Sequence, residues 1–343
     1  MNRSFDVLVI GGGPAGTSAA ITCAQSGLDV CILEDKEFPR YHVGETVHPG
    51  IEGLFKQLNV GDEILSANFL RHVGNWVKWQ NEEIFVPFGH THQELWKGFQ
   101  LVRSEFDKIL LDHARDNGVH LVQPCQAFRP LMNKAGKIIG VNTSEGKFNS
   151  SYLIDAAGSQ NWLSHKLGLK MIKHSPALIA YYGYVKGEFA NCNKTPLLVA
   201  DDDGWTWIAE VKPFVYQWTR LFFDYKNLDK NYVPKPLLKM EKIGYTSCSD
   251  VTWRLSSLPS GKGFFLVGDA ASVLDPSSSH GILKAIMSGM LVGHLISKTE
   301  KLQITIQSAI AIYNKWITEW FMHDKFNITK LYRELINPPK WIL

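Results

Sequence analysis

The sequence predicts an α/β protein with three parts: a discontinuous parallel-sheet domain, an inserted antiparallel β-sheet domain and C-terminal helices. Short apolar runs rich in β-branched residues alternate with helical patterns near the start of the chain, as in parallel strands joined by helices. Aromatic segments of alternating polarity follow, and the strand-then-helix pattern returns after residue 260. We expect the first domain at residues 1–75, 100–176 and 260–300, the second at 76–99 and 177–259, and the C-terminal helices at 301–343.

Three glycines connect the first predicted strand, residues 5–10, to a predicted helix at residues 14–25. Gly11, Gly13 and Gly16 have the spacing G-x-G-x-x-G. The first glycine of this pattern allows a tight turn, the second lets a pyrophosphate approach the backbone, and the third lets the helix pack on the strand. The helix N-terminus adds free N–H groups and the positive end of the helix dipole. This arrangement predicts a dinucleotide site.

An acidic residue completes the predicted β-α-β unit. The second strand, residues 29–33, ends at Glu34 and is followed by Asp35, about 20 residues after the glycine turn, where a carboxylate can accept hydrogen bonds from a ribose. The site therefore favours a dinucleotide with a free 2′-hydroxyl.

Composition limits the possible functions. With 45% hydrophobic and 20% charged residues, the 343-residue chain is typical of a globular protein that buries a large core. The net charge of +3 is spread along the chain and gives no reason to expect nucleic-acid binding. The five cysteines form no C-x-x-C pair, and no metal site is expected. No apolar run approaches the roughly 20 residues of a membrane span. A cytoplasmic location is the expectation.

The middle of the chain repeats the alternation of helical and strand patterns seen near its start. In "RSEFDKILLDHARDNGVHLVQP", apolar residues at helical spacing are followed by Asn117-Gly118 and a strand. Residues 124–153 read as a β-ribbon with turns at "NKAGK" and "SEGK", and the segment closes with "YLIDAAG". An apolar strand that runs into an acid and a glycine is a further candidate for the edge of the nucleotide site.

Three motifs in order resemble the superfamily of FAD-dependent monooxygenases and halogenases, which has the p-hydroxybenzoate hydroxylase-like fold. They are the opening glycine turn, "IDAAGS" at residues 154–159 and "VGDAASVLDPSSSHG" at residues 267–281. The resemblance implies a Rossmann-like FAD-binding domain that holds FAD noncovalently. It further implies that Asp269 bonds a ribityl or ribose hydroxyl, that Arg103 reaches the phosphates, and that Arg40 lies at the cofactor.

The glycine turn and the resemblance together predict one set of cofactor-binding residues. They are Gly11, Gly13, Pro14, Ala15, Gly16, Glu34, Asp35, Arg40, Arg103, Ala157, Gly158, Gly268, Asp269, Gly281 and Ile282. The backbone before the helix at Gly281 is expected to face the isoalloxazine ring. Only one glycine fingerprint is present, and FAD would occupy it, so the sequence offers no second nucleotide domain for NADPH. Reducing equivalents are therefore expected from NAD(P)H directly, by transient docking, or from a separate flavin reductase.

Within the superfamily, "GWTWIAEV" at residues 204–211 and "DPSSSHG" resemble the halogenase-like branch. Three features depart from halogenases. The Ile-Pro pair of their W-x-W-x-I-P motif is Ala209-Glu210, the serine or threonine beside the halide site is His280, and the lysine that guides hypohalous acid is His72 in the best register. We therefore expect hydroxylation of an electron-rich aromatic ring through a flavin C4a-hydroperoxide, with His72, His280 and Glu45 as candidate catalytic residues.

The same branch includes flavoproteins that hydroxylate a tryptophan in the precursors of tryptophylquinone enzymes, and the compactness of this chain is similar. The expected acceptor is thus an aromatic substrate that can be a side chain of a partner protein or peptide. Three alternatives stay open: a flavin-dependent halogenase, a flavin reductase similar to geranylgeranyl reductases, and a non-catalytic FAD-bound assembly protein that docks through its aromatic C-terminal helices.

Overall fold

The computed structural model describes residues 3–79, 82–90, 94–189, 195–224, 226 and 228–343. The strands are β1 Arg3–Ile10, β2 Val30–Leu33, β3 Thr46–Val47, β4 Leu70–His72, β5 Gly74–Lys78, β6 Ile84–Pro87, β7 Gly98–Gln100, β8 His120–Val122, β9 Ala127–Met132, β10 Ile138–Thr143, β11 Gly146–Asp155, β12 Met171–Lys173, β13 Ile179–Lys186, β14 Leu197–Asp201, β15 Gly204–Lys212, β16 Val215–Phe222, β17 Glu241–Asp250, β18 Arg254–Ser256, β19 Ser260–Gly261, β20 Phe264–Leu266 and β21 Ser272–Val273. The helices are α1 Pro14–Gln25, α2 Glu52–Gln57, α3 Gly61–Ser66, α4 Arg103–Asp116, α5 Trp162–Leu167, α6 Gly281–Glu300 and α7 Ile306–Arg333.

The first sheet confirms the predicted parallel architecture. Its order is β19-β20-β11-β1-β2-β8, and β1 lies between two parallel neighbours, β11 and β2. The predicted ribbon is formed by β9, β10 and β11, which pair antiparallel beside the main sheet. All four residues of β2 are buried, as expected for a strand covered on both faces.

Helix α1 packs closely against α6 on one face of this sheet. A Cβ atom at Gly289 would lie 2.3 Å from the carbonyl oxygen of Ala15, so a larger residue there would force the two helices apart. This contact holds two distant segments of the sequence together, and both begin at the same edge of the sheet. The parallel-sheet domain is therefore discontinuous, as the sequence predicts.

The second sheet is formed mainly by the aromatic segment. Its order is β17-β13-β16-β15-β14-β5-β6, and all of its pairs are antiparallel except β14 with β5. Residues 74–87 therefore contribute two strands to this sheet. The overall α/β class with an inserted antiparallel sheet is confirmed; the residue boundaries of the domains stay predictions.

Helix α6, of 20 residues, ends the parallel-sheet domain, and helix α7, of 28 residues, forms most of the C-terminal segment. Helix α7 buries Tyr313, Phe321 and Tyr332 in the core, whereas Phe326 is 69% exposed. Tyr313, Phe321 and Tyr332 thus serve packing rather than an exposed docking surface. Within the described residues, no helix is long and apolar enough to cross a lipid bilayer.

Candidate active site

A cavity of about 530 Å³ follows the carboxyl edge of the parallel sheet and extends onto the antiparallel sheet. Strands β1, β2, β11 and β20 end together here, because Ile10 pairs with Leu33 and Asp155, and Asp155 pairs with Leu266. The predicted cofactor residues that line the cavity are Gly11, Gly13, Pro14, Ala15, Glu34, Asp35, Arg40, Arg103, Ala157, Gly158, Gly268, Asp269, Gly281 and Ile282. This position, outside the carboxyl ends of parallel strands, is where open α/β sheets bind ligands.

The glycine turn shows why each glycine is needed. Gly11 has a φ of +100°, and a Cβ there would lie 2.6 Å from the carbonyl oxygen of Ala156. A Cβ at Gly16 would lie 2.0 Å from the carbonyl oxygen of Gly11, so Gly16, which lies behind the cavity wall, permits the helix to pack on the turn. Gly13 precedes α1, and in the part of the chain that the structure describes a Cβ there would have one atom within 4 Å, a terminal nitrogen of Arg40 at 3.2 Å.

Glu34 lies at the end of β2 and is almost fully buried. Its Oε2 accepts a hydrogen bond of 2.6 Å from the N–H of Gly12, and its Oε1 accepts one of 3.0 Å from the N–H of Lys36. Burial raises the pKa of this carboxyl, whereas the Gly12 hydrogen bond and Arg40 lower it. The acid therefore braces the glycine turn from the neighbouring strand, in addition to the ribose contact that the sequence predicts.

Two arginines, Arg40 and Arg103, line the cavity and contact Asp107. Arg103 donates to both oxygens of Asp107, over 2.8 and 2.9 Å, and also to the carbonyl of Val43 over 2.6 Å. Arg40 makes weaker polar contacts than Arg103. Its Nη2 lies 3.8 Å from Asp107, and its buried Nε has no hydrogen-bond partner among the described residues. An unpaired buried donor beside Gly13 and a helix N-terminus fits the pyrophosphate of FAD.

Glu45, a predicted catalytic residue, lines the cavity and is 3% exposed. Its Oε2 accepts a hydrogen bond of 2.9 Å from the N–H of Gly44, and its Oε1 accepts a short hydrogen bond from the hydroxyl of Tyr184. Burial raises the pKa of Glu45 to about 6, against the lowering effects of Tyr184 and Arg103. A carboxyl with this pKa can exchange a proton near neutral pH.

His72 does not reach the cavity. Its side chain is 4% exposed on β4, and burial lowers its pKa to about 4, so the imidazole is neutral at pH 7. A hydrogen-bond path connects it to the cavity wall: Trp207 Nε1 donates to Thr46 Oγ1 over 3.2 Å, and Thr46 donates to Gln100 Oε1 over 2.8 Å. Gln100 Nε2 then lies 3.4 Å from His72 Nε2. His72 is therefore linked to the cavity wall through other side chains, and its catalytic role stays a prediction.

His280 stands immediately before α6, at the rim of the cavity. Its neighbours Ser279 and Gly281 line the cavity, while the His280 side chain is 33% exposed and its Nδ1 lies 3.4 Å from Asp324 Oδ2. The same carboxylate oxygen binds the ammonium group of Lys284 at 2.7 Å. His280 therefore belongs to a charged cluster between α6 and α7.

The sequence did not single out several residues that the fold brings to this site. Lys284 could have been found, because it lies one helical turn after Gly281 on the same helix. Tyr184 and Asp324 could not, since they come from the inserted sheet and from α7. Trp205 and Trp207, two residues apart on β15, both line the cavity.

Comparisons with known proteins identify the family of the chain. The FAD binding domain family matches residues 4–301. The brominase of 1H-pyrrole-2-carbonyl-[peptidyl-carrier protein] from Pseudoalteromonas luteoviolacea (strain 2ta16) is 28% identical over 328 residues, which cover 86% of this chain and 78% of the brominase. The flavin-dependent halogenase armH1 of Armillaria mellea is 25% identical, over 97% of this chain and 72% of its own length.

Two solved structures have the same fold. The myxobacterial chondrochloren halogenase CndH superposes with a TM-score of 0.87 at 22% identity, over 96% of this chain and 83% of its own. A geranylgeranyl bacteriochlorophyll reductase-like protein from Thermoplasma acidophilum superposes with a TM-score of 0.79 at 22% identity, over 94% of this chain and 85% of its own. With the family match over most of its length, the chain belongs to the FAD binding domain family, in the superfamily of FAD-dependent monooxygenases and halogenases, and is an FAD-dependent oxidoreductase.

Proposed function

We propose that this enzyme hydroxylates an electron-rich aromatic ring in an FAD-dependent monooxygenase reaction. The observation that carries the proposal is His72: where the best register with halogenases expects a lysine, the chain has a buried, neutral imidazole. Hypohalous acid needs an amine to guide it. Among the described residues of the cavity wall the lysines are Lys36 and Lys284, and the ammonium of Lys284 is bound to Asp324.

The residues of the cavity fit the binding of FAD. The glycine turn, the N-terminus of α1 and Arg40 would hold the pyrophosphate, Glu34 the ribose, and Asp269 a hydroxyl of the ribityl or ribose group. When bound, FAD supplies the reductive activation of dioxygen. The chain's own task is to exclude water from the cavity and to hold the acceptor ring close and correctly oriented.

Glu45 is the residue that we assign to proton transfer. Its carboxyl lies in the cavity wall, and its pKa of about 6 leaves it mostly ionised at pH 7, so that Oε1 or Oε2 can accept the proton that the hydroxylated ring loses. Tyr184 fixes the orientation of this carboxylate through its hydrogen bond to Oε1. Trp205, Trp207 and Tyr182 add an aromatic wall against which an aromatic acceptor can pack.

We further propose that the acceptor is a tryptophan side chain of a partner protein. The relative from Pseudoalteromonas luteoviolacea supports a macromolecular substrate in general terms, because its name describes a pyrrole attached to a peptidyl-carrier protein. The electron donor would be NAD(P)H or a separate reductase, and the single glycine fingerprint favours the reductase.

Halogenation is the second candidate, because the relatives include a brominase and several flavin-dependent halogenases. Reduction of an isoprenoid chain is less favoured, since the cavity wall is aromatic and polar rather than a long aliphatic tunnel. The three activities differ in the product, which makes the test direct.

The test supplies the purified enzyme with chemically reduced FAD, air and bromide, and with two kinds of acceptor. These are free tryptophan and candidate partner proteins encoded by neighbouring genes. We expect product masses that show added oxygen on the protein acceptor and no bromine. Bromine in the product would overturn hydroxylation in favour of the second candidate, and oxygen only on free tryptophan would overturn the protein acceptor.

A further inference from the structure

An ion pair joins the first turn of α6 to α7 at the wall of the cavity. The Nζ atom of Lys284 lies 2.7 Å from Oδ2 of Asp324, and the two side chains are 14% and 3% exposed. Lys284 lines the cavity one helical turn after Gly281, whereas Asp324 lies behind it on α7. A lysine with so little contact with solvent keeps much of its electrostatic influence on its surroundings, since water screens it poorly.

The charge of Lys284 acts on the cofactor side of the cavity. Asp269, which lines the cavity beside the start of α6, has a pKa that burial raises and that Arg254, Arg103 and Lys284 lower. Lys284 therefore stabilises negative charge at a position where the sequence places a contact to FAD. Charges near a flavin ring are among the means by which a protein tunes its reactivity.

We propose that Lys284 and Asp324 form a redox-tuning ion pair, in which Lys284 favours binding of reduced FAD and Asp324 limits that preference. Two-electron reduction adds negative charge to the flavin ring when N1 remains deprotonated. A nearby cation therefore stabilises the reduced form, and a nearby anion destabilises it. The inference rests on FAD as the cofactor and is independent of the choice between hydroxylation and halogenation. A site that prefers reduced FAD suits an enzyme that receives its flavin from a separate reductase.

The two members of the pair have opposite predicted effects, which separates this role from a structural one. Lys284→Met removes the ammonium partner of Asp324, whose carboxylate keeps the longer contact with His280, and should weaken the binding of reduced FAD relative to oxidised FAD by about tenfold, equal to about 30 mV for a two-electron couple. Asp324→Asn leaves the ammonium uncompensated and should shift the same ratio in the opposite direction. The double variant should return close to the wild-type ratio, and Lys284→Arg should retain it.

The measurement is an anaerobic titration of each apoprotein variant with oxidised and with reduced FAD, checked by the midpoint potential of the bound cofactor. Lys36→Met is the matched control, because Lys36 lines the same cavity beside Glu34, at the end predicted for the ribose. Opposite shifts in the two single variants support the ion pair. Shifts of the same sign, or none beyond that of Lys36→Met, overturn it.

Thermal melting identifies a variant that loses its fold. Lys284→Gln then replaces Lys284→Met, and Asp324→Ser replaces Asp324→Asn, with the same expected direction of change in the ratio of reduced to oxidised FAD binding. Product identity does not enter these titrations. Failure of hydroxylation therefore leaves the ratio unchanged, and failure of the ion pair leaves the product unchanged.

Discussion

The hydroxyl of Tyr184 donates a hydrogen bond to Oε1 of Glu45, although 139 residues separate them in the sequence. This bond joins the inserted sheet to the loop that leads from β2 into β3. It places a phenol and a carboxyl in direct contact at the wall of the cavity. Of these two residues the sequence suggested only Glu45, as a candidate catalytic residue.

Removing the Tyr184 hydroxyl should raise the pKa of Glu45 above its value of about 6. The reason is that the phenol stabilises the ionised carboxylate, and Tyr184→Phe loses that donor. The change can be followed by infrared difference spectroscopy of the carboxyl band across pH, with Glu45→Gln to assign the band. Tyr182→Phe is the control on the same strand. An unchanged or lowered pKa in Tyr184→Phe would refute the assignment of this hydrogen bond.

Glu45 should also make stability fall as pH rises from about 4.5 to about 6. Its pKa in the folded state is raised from 4.5 to about 6, so the folded protein binds the extra proton in this window and must lose it as pH rises. The full effect is about 2 kcal/mol, from about 1.4 kcal/mol per pKa unit. Urea unfolding of wild type and Glu45→Gln at about pH 3.5 and about pH 7, on either side of this window, measures the full effect, and the variant should show the shallower dependence. Equal slopes would contradict the raised pKa.

Gly13→Trp should weaken FAD binding by at least about tenfold, because the indole would occupy the space through which a pyrophosphate approaches the backbone. The fold should survive, since among the described residues the only atom within 4 Å of a Cβ at Gly13 is the flexible end of Arg40. Fluorescence titration with FAD measures the affinity. Gly53→Trp is the control, because a Cβ there has no atom within 4 Å among the described residues. Full FAD occupancy in Gly13→Trp would argue against the predicted site.

Tyr332→Phe should destabilise the protein by about 1–3 kcal/mol, the usual effect of leaving a buried polar group without its partner. Tyr332 donates a short hydrogen bond to Asp275 and accepts one of 2.8 Å from Trp205 Nε1, and all three side chains are buried. Chemical denaturation measures the loss. Tyr245→Phe, at a position that is 70% exposed, should change stability little. Equal effects of the two substitutions would contradict a structural role for this network.

NADPH alone should reduce the bound flavin slowly, because the sequence has one glycine fingerprint and FAD would occupy it. Stopped-flow absorbance measures the rate, and addition of a purified flavin reductase with NADPH should accelerate turnover. Direct reduction at a rate on the order of 10 per second, typical of enzyme turnover, would show that no reductase is needed.

Much of the fold and of the predicted cofactor surface could be read from short segments. The turn at Gly11 needs a left-handed backbone, Gly16 needs contact with the turn, and Glu34 follows its strand directly, so each is determined by its local sequence. The same holds for Gly268-Asp269, which follows β20.

The acid–base and charged groups depend on contacts between distant segments. The sequence named His72 as a candidate catalytic residue. The pairing of β4 with β7 buries its side chain beside Gln100 rather than in the cavity. Asp324 reaches Lys284 only because α7 packs across α6, and no local pattern encodes that contact. The sequence therefore predicts where a cofactor binds better than it predicts which side chains surround the reacting ring.

The most direct test of the central claim is the source of the atom that is added to the acceptor. Reduced FAD, ¹⁸O-labelled dioxygen and an excess of bromide are supplied to the enzyme with its protein acceptor, and the modified aromatic residue is identified by peptide mass spectrometry. We predict one ¹⁸O atom on the ring and no bromine. Bromine on the ring, or an oxygen that carries no label, would contradict hydroxylation by this enzyme.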